Sequence, residues 1–390
     1  MSAIGGVVNL EGQGIATSVV LDMSRAMLGR AKEQRGAYLT KRAGLFHNRS
    51  LGWESEAARQ PRTATKKGKH VTVVLDGYPL GRDPQAGLER SLGLESAAEL
   101  VLEYYLAFGA SFLGSLSGAF AVAIYDEERG ELLLARDREG RCPLFYAVED
   151  GTLAFASEIK ALLRFLPGAA EIDGEALRAH WRASCGECAG ETLYREIRAI
   201  PPGHCGIYSR MGMSVYAYEA EPIPREEARD GGQITPRLIC PCETGLRDIL
   251  TQAVFAFDYP QFDYLMPGFF QALDELNQQK KRTATVEDGT LYMNLGYAYE
   301  RADRLGAMKG VTVTPAVPAS FSLRQRELKK MDRLLRDLVA EGDGARLSRL
   351  FGEGWQEMVS EEKNLAKRIR MQGILYQTGI WMEHYRLAVV

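Results

Sequence analysis

Apolar and polar positions alternate most legibly between Ser117 and Leu163. Ala119–Tyr125 is apolar at nearly every position and is closed by the polar cluster Asp126–Gly130, which predicts a strand buried on both faces. Glu131–Arg136 predicts the next strand and Asp137–Arg141 a turn. Pro143–Val148 and Leu153–Ala156 then form a hairpin joined by Glu149–Asp150–Gly151. Ser157 stands where an N-cap would open a short helix. Earlier in the chain, Met1–Leu10 and Val71–Leu75 have the pattern of short strands. Asp22–Arg35 predicts a helix with Met23, Met27, Leu28 and Ala31 on its apolar side and Leu21 just ahead of it.

The pattern changes after Tyr218. Glu219–Thr244 combines prolines, a Gly-Gly pair and clustered charges, the signature of a linker between domains. Beyond it the period is helical. Leu328, Met331, Leu335 and Leu338 make one stripe, and Leu365, Ile369, Tyr376 and Ile380 mark a long final helix. Gly373 and Gly379 lie inside that helix at a cost of about 1 kcal/mol each against alanine, which predicts close helix–helix packing around them. Val311–Val317 is the one strand candidate in this half, and it contains a proline. The expectation is an α+β chain: a sheet-rich domain over 1–218, a linker over 219–244, and a mainly helical domain over 245–390.

Composition narrows the partners. With 390 residues, 46% of them hydrophobic, and a net charge of −3, nothing points to nucleic acid or an anionic membrane surface. No apolar run reaches the length of a membrane span and no leader pattern opens the chain, so a cytoplasmic location is the expectation. Cys185, Cys188, Cys205, Cys240 and Cys242 fall close together in sequence. Cys-x-Cys is a poor zinc spacing, however, and free or buried thiols are the reading, with no metal and no cofactor.

Three motifs occur in order: Gly118–Ala119–Phe120–Ala121; Ala135–Arg136–Asp137–Arg138 with Gly140 and Pro143–Leu144–Phe145–Tyr146; and Phe155–Ala156–Ser157–Glu158–Ile159–Lys160–Ala161–Leu162–Leu163. Together with Pro201–Pro202–Gly203–His204, they resemble the glutaminase domain of the glutamine-hydrolysing asparagine synthetase family, a class II glutamine amidotransferase. The resemblance covers about Met1–Tyr218. It implies an N-terminal-nucleophile-hydrolase-like fold, a four-layer αββα sandwich.

It also implies site positions, and several depart from the family pattern. That family begins Met-Cys-Gly-Ile, with the cysteine as nucleophile; here Ser2 and Ala3 hold those places. A serine nucleophile is feasible where the free α-amine serves as base, but retention of Met1 makes that amine an amide that accepts no proton. Phe46–Ser50 resembles the segment whose arginine clamps the glutamine carboxylate, so Arg49 is the candidate clamp, with a surface arginine as the alternative. Asp76–Gly77 stands in place of the Asn-Gly of the oxyanion hole. A carboxylate there repels an oxyanion 3–4 Å away by about 4–5 kcal/mol at an effective dielectric of about 20. Glu99–Tyr105 resembles the helix that carries the amine anchor, and Ala97 stands where the family has an aspartate.

The second half is similar to the synthetases' ligase domain in three places: Gly245–Phe257, Arg301–Gly310, and Ile374–Tyr385 with Trp381, His384 and Tyr385. The S-G-G-x-D-S loop that wraps ATP is missing; the Gly-Gly pairs are Gly5–Gly6 and Gly231–Gly232. The expectation is an asparagine-synthetase-like protein degenerate for both chemistries. It would act in binding or scaffolding, with glutamine or another amino-acid-like ligand, a protein partner around Tyr259–Phe270, or a second copy as partner. The alternatives are an N-terminal-serine amidohydrolase and an amide-forming ligase.

Overall fold

The computed structural model describes residues 2–31, 34–49, 59–66, 68–81, 96–168, 170–182, 190–218, 243–262, 325–385 and 387–389. The chain divides into two compact units, Met1–Pro167 with Glu196–Glu227, and Gly168–Arg195 with Ala228–Val390.

The first unit contains two six-stranded sheets. One holds β1 (Ser2–Asn9), β2 (Gln34–Leu39), β3 (Ala43–Arg49), β8 (Phe145–Glu149), β9 (Thr152–Ala156) and β11 (Ile197–Ala199), in the order β11-β8-β9-β1-β3-β2. The other holds β4 (Arg62–Lys66), β5 (Lys69–Gly81), β6 (Leu116–Asp126), β7 (Glu131–Arg136), β12 (His204–Ser209) and β13 (Gly212–Ala217), in the order β13-β12-β7-β6-β5-β4. Neighbouring strands in both sheets are antiparallel.

Period-two alternation sends alternate side chains into two cores. Ile4, Val8 and Leu45 of the first sheet meet Val74, Ala121, Ala123, Leu132 and Leu134 of the second in the layer between them. Val71, Val73, Leu75, Phe120, Val122 and Ile124 face the other way, under Val101, Tyr104 and Tyr105 of α2 (Ala97–Phe108). Helices α1 (Thr17–Ala26) and α3 (Ile159–Leu162) cover the first sheet. The result is the αββα sandwich that the two-sided burial of Ala119–Tyr125 required.

Local details depart from the sequence pattern at two places. The first helix runs over Thr17–Ala26 rather than Asp22–Arg35. Met27 and Ala31 are buried beyond its end, whereas Leu21 is 41% exposed. Ser157 caps no helix. Its Oγ accepts from the Ile4 N–H at 3.0 Å and its own N–H donates to the Ile4 carbonyl, so it extends the pairing of β9 with β1. The turn Asp150–Gly151 does form, with both residues at positive φ as a tight hairpin requires.

The second unit is built from helices: α4 (Gly174–Arg182), α5 (Glu243–Phe257), α6 (Gln325–Ala340), α7 (Gly344–Phe351), α8 (Trp355–Glu361) and α9 (Leu365–Tyr385). The stripe Leu328, Met331, Leu335 and Leu338 is buried, as its spacing predicts. Residues 168–195, which the pattern places in the first domain, belong here. Strand β10 (Glu171–Ile172) pairs with β14 (Ala388–Val389), and the Trp181 indole donates to the Met371 carbonyl at 3.3 Å. The Tyr194 hydroxyl donates to the Asp258 carbonyl at 2.5 Å. Gly373 packs tightly, although against the ring of Phe262 rather than a helix, and Gly379 has open space beside it. Val311–Val317 and Arg301–Gly310 lie outside the described residues, as does most of Tyr259–Phe270.

Candidate active site

The site sits at one end of the layer between the two sheets, and strand alternation puts it there. Ser2 shares its face of β1 with Ile4. His47 and Arg49 share theirs with Leu45 on β3, and Asp76 shares its with Val74 on β5. Ser2 pairs with Arg49 across the β1–β3 ladder, and both are buried. Asp76 belongs to the opposite sheet, so any bond between it and Ser2 spans the sandwich.

Such bonds are present. The Ser2 hydroxyl donates to Asp76 Oδ1 at 3.0 Å, and the Ser2 backbone N–H reaches the same oxygen at 3.3 Å. Arg30, just past the end of α1, completes the group. Its Nη2 donates to Asp76 Oδ2 at 2.8 Å and its Nε to the Ser2 carbonyl at 2.9 Å. The Arg30 and Asp76 side chains have no solvent exposure. The carboxylate expected to stand alone at an oxyanion position is therefore neutralised by a buried guanidinium, and both of its oxygens are engaged. Arg30 carries no motif signal and was not foreseen as a site residue.

Gly77 follows at φ +98°. A Cβ there would lie 2.3 Å from the Ala119 carbonyl oxygen and 2.9 Å from Cys142 Sγ, so the close approach of β5 to β6 and the loop depends on glycine. Cys142 is buried, and burial, with Asp76 and Asp137 nearby, pushes its thiol well above the usual range. His47 is buried too. Desolvation pulls its imidazole down to about 4 against the attraction of Asp76, which leaves it neutral near pH 7. On the outer face of β3, Asn48 exchanges two bonds with Ser24 of α1, at 2.7 and 2.8 Å.

Ala97 occupies a different neighbourhood. It opens α2 behind the N-cap Ser96, whose hydroxyl accepts from the Glu99 N–H at 3.3 Å, and it packs against the outer core of the second sheet. The Ala-Arg-Asp-Arg motif braces loops. Arg136 donates to the carbonyls of Gly140, Cys142 and Ile200 at 2.7, 2.9 and 3.2 Å. The Asp137 carboxylate accepts from the N–H groups of Phe120, Glu139, Arg141 and Cys142. These bonds fix the 138–142 loop, and with it Cys142, against the site. Cys185, Cys188, Cys240 and Cys242 lie outside the described residues.

A four-layer sandwich with a hydroxyl residue heading its central first strand defines the class of fold organised around an N-terminal nucleophile. The chain belongs to the glutamine amidotransferase domain family, which residues 1–219 match, and within it to the class II, asparagine-synthetase-like branch. It is 27% identical over 223 residues to "Asparagine synthetase [glutamine-hydrolyzing] 3" of Bacillus subtilis, covering 56% of this chain and 36% of that protein. It is 30% identical over 179 residues to "Amidase chry2" of Gibberella zeae, covering 45% of this chain and 26% of that one. It is 32% identical over 145 residues to "Asparagine synthetase B [glutamine-hydrolyzing]" of Escherichia coli, covering 37% and 26%. The chain thus spans about a third or less of these relatives' own lengths.

Proposed function

We propose that this chain is an asparagine-synthetase-like protein that neither hydrolyses glutamine nor forms an amide bond, and that it acts by binding. The observation that carries this is the Ser2–Asp76–Arg30 group. A nucleophile must point its hydroxyl at a substrate carbonyl and lose its proton to a base. Ser2 instead spends its hydroxyl and its N–H on one carboxylate. That carboxylate is in turn held by the buried Arg30 guanidinium at 2.8 Å. The position where relatives would place an uncharged donor for the oxyanion carries an acceptor instead. Arg49, buried opposite Ser2, remains the candidate contact for the carboxylate of glutamine or a similar amino acid.

The second half supports the same reading from sequence, since the glycine-rich loop that would cradle a nucleotide is missing. The function then rests on a retained shape, with an amino-acid-like ligand, a protein partner or a second copy as the binding partner. Neither nucleic acid nor a membrane is part of this proposal, and a cytoplasmic setting is. Among the described residues no helix is long and apolar enough to cross a membrane.

The test is ammonia release from glutamine by the purified full chain, alongside calorimetric titration with ATP and magnesium. No release and no heat are expected; ammonia formation overturns the proposal. A second reading, an N-terminal-serine amidohydrolase, draws on one feature: the Ser2 hydroxyl donates to a carboxylate at 3.0 Å. It predicts amide cleavage that disappears in Ser2→Ala.

A further inference from the structure

Position 2 is buried, and it is tied to the opposite sheet chiefly through the Asp76 carboxylate, with the Leu75 carbonyl a longer 3.5 Å from the Ser2 hydroxyl. What holds that carboxylate in place is Arg30, which bonds Asp76 with one arm and the Ser2 carbonyl with the other. We propose that Arg30 is an internal lock: by fixing Asp76 against Ser2 it keeps position 2 silent toward electrophiles, whichever nucleophilic side chain stands there. The proposal rests on the reading of the site as non-catalytic and names the residue responsible.

The physical case has three parts. First, Arg30 and Asp76 are both wholly enclosed, so neither swings out without leaving an uncompensated buried charge behind. Second, Asp76 Oδ1 accepts from both Ser2 donors, so the Ser2 hydroxyl is turned toward β5 and engaged there. Third, the structure contains a gauge of the local field. The Cys142 thiol is held in its protonated form by burial and by the carboxylates of Asp76 and Asp137, with Arg30 opposing them. A thiol at position 2, in direct reach of the same carboxylate, faces the same bias against ionisation.

Cysteine is thus the informative replacement, because its reactivity reports its thiolate fraction. In Ser2→Cys the full chain is treated with iodoacetamide, whose carbon the thiolate attacks with loss of iodide. The modification is assigned by mass spectrometry to the peptide carrying residue 2, so that Cys142, Cys205 and the other cysteines do not contribute. The lock predicts alkylation slower than that of free cysteine at pH 7.5. It also predicts a rate at least about tenfold higher when Arg30→Met and Asp76→Asn are added to the Ser2→Cys chain.

Should that combined variant not fold, the pH profile of alkylation in Ser2→Cys alone decides: the half-point is expected above the ordinary thiol value of about 8.5. A half-point below that value, or equal rates with and without the ion pair, overturns the proposal. Failure here is distinct from failure of the functional reading. Fast alkylation without glutaminase activity removes the lock only, whereas ammonia release by the wild-type chain removes the reading beneath it.

Discussion

Arg30 and Asp76 meet at 2.8 Å with both side chains sealed from solvent, one just past the first helix and the other on β5 of the opposite sheet. A pair so placed pays desolvation on both charges, and its worth shows only when one partner is removed. Asp76→Asn or Arg30→Met alone is expected to destabilise the sheet-bearing unit by about 3–5 kcal/mol. The double replacement, which leaves no buried charge at either position, should recover most of that. Urea denaturation of the two single variants and the double gives the coupling, and additive losses would contradict it.

The second prediction concerns pH. His47 titrates near 4 in the folded chain because burial disfavours its charged form, against about 6.5 when unfolded. Between those values the unfolded state holds the extra proton, so stability falls as pH drops from about 6.5 toward 4. His47 contributes about 3 kcal/mol to that loss when the window is fully crossed. His180, also pulled down to about 4 by burial, adds a similar slope in the helical unit. Denaturation at pH 7.5 and pH 5 should show the loss, and His47→Gln should show less of it.

Gly77→Ala is expected to be poorly tolerated. Its φ of +98° lies outside the comfortable range of an L side chain, and the new methyl would meet the Ala119 carbonyl. A loss of at least about 2 kcal/mol, or failure to accumulate as soluble protein, is the expected outcome. A thermal midpoint unchanged from wild type would show that β5 can retreat.

The two glycines of α9 should separate cleanly. At Gly373 an added Cβ would sit 2.1 Å from the Phe262 ring, so Gly373→Ala is expected to cost about 1–3 kcal/mol. At Gly379 nothing lies within 4 Å, so alanine should gain up to about 1 kcal/mol from helix propensity. Measuring both in one background by thermal denaturation checks the contrast, and equal responses would contradict it.

What the sequence made legible followed from pattern length. The strands Glu131–Arg136 and Thr152–Ala156, and the turn at Asp150–Gly151, stood out because apolar runs were bounded by residues suited to turns. Ser157 was misread because its local signature for capping a helix is also that of a residue bonding a neighbouring strand, and Ile4 lies 153 positions away. Ser2, Asp76 and Gly77 were found through motif positions, but Arg30 was not. Along the chain it resembles Arg25, which pairs with Asp22 at the surface; only the fold brings it to a partner 46 positions on. Charge placement of this kind has no period and no spacing rule, so it becomes visible only with the tertiary structure.

The route of residues 168–195 has an evolutionary corollary. The chain leaves the sandwich after Pro167, supplies Trp181 and Tyr194 to the helical body, and returns at Glu196 to form an edge strand. The two bodies are threaded through one another in the primary sequence, so no single crossover in the gene between residues 219 and 242 transplants either of them whole. Recombination or gene truncation at that junction would leave an open wound in the helical core, and descendants of such an event would need a new segment to close it.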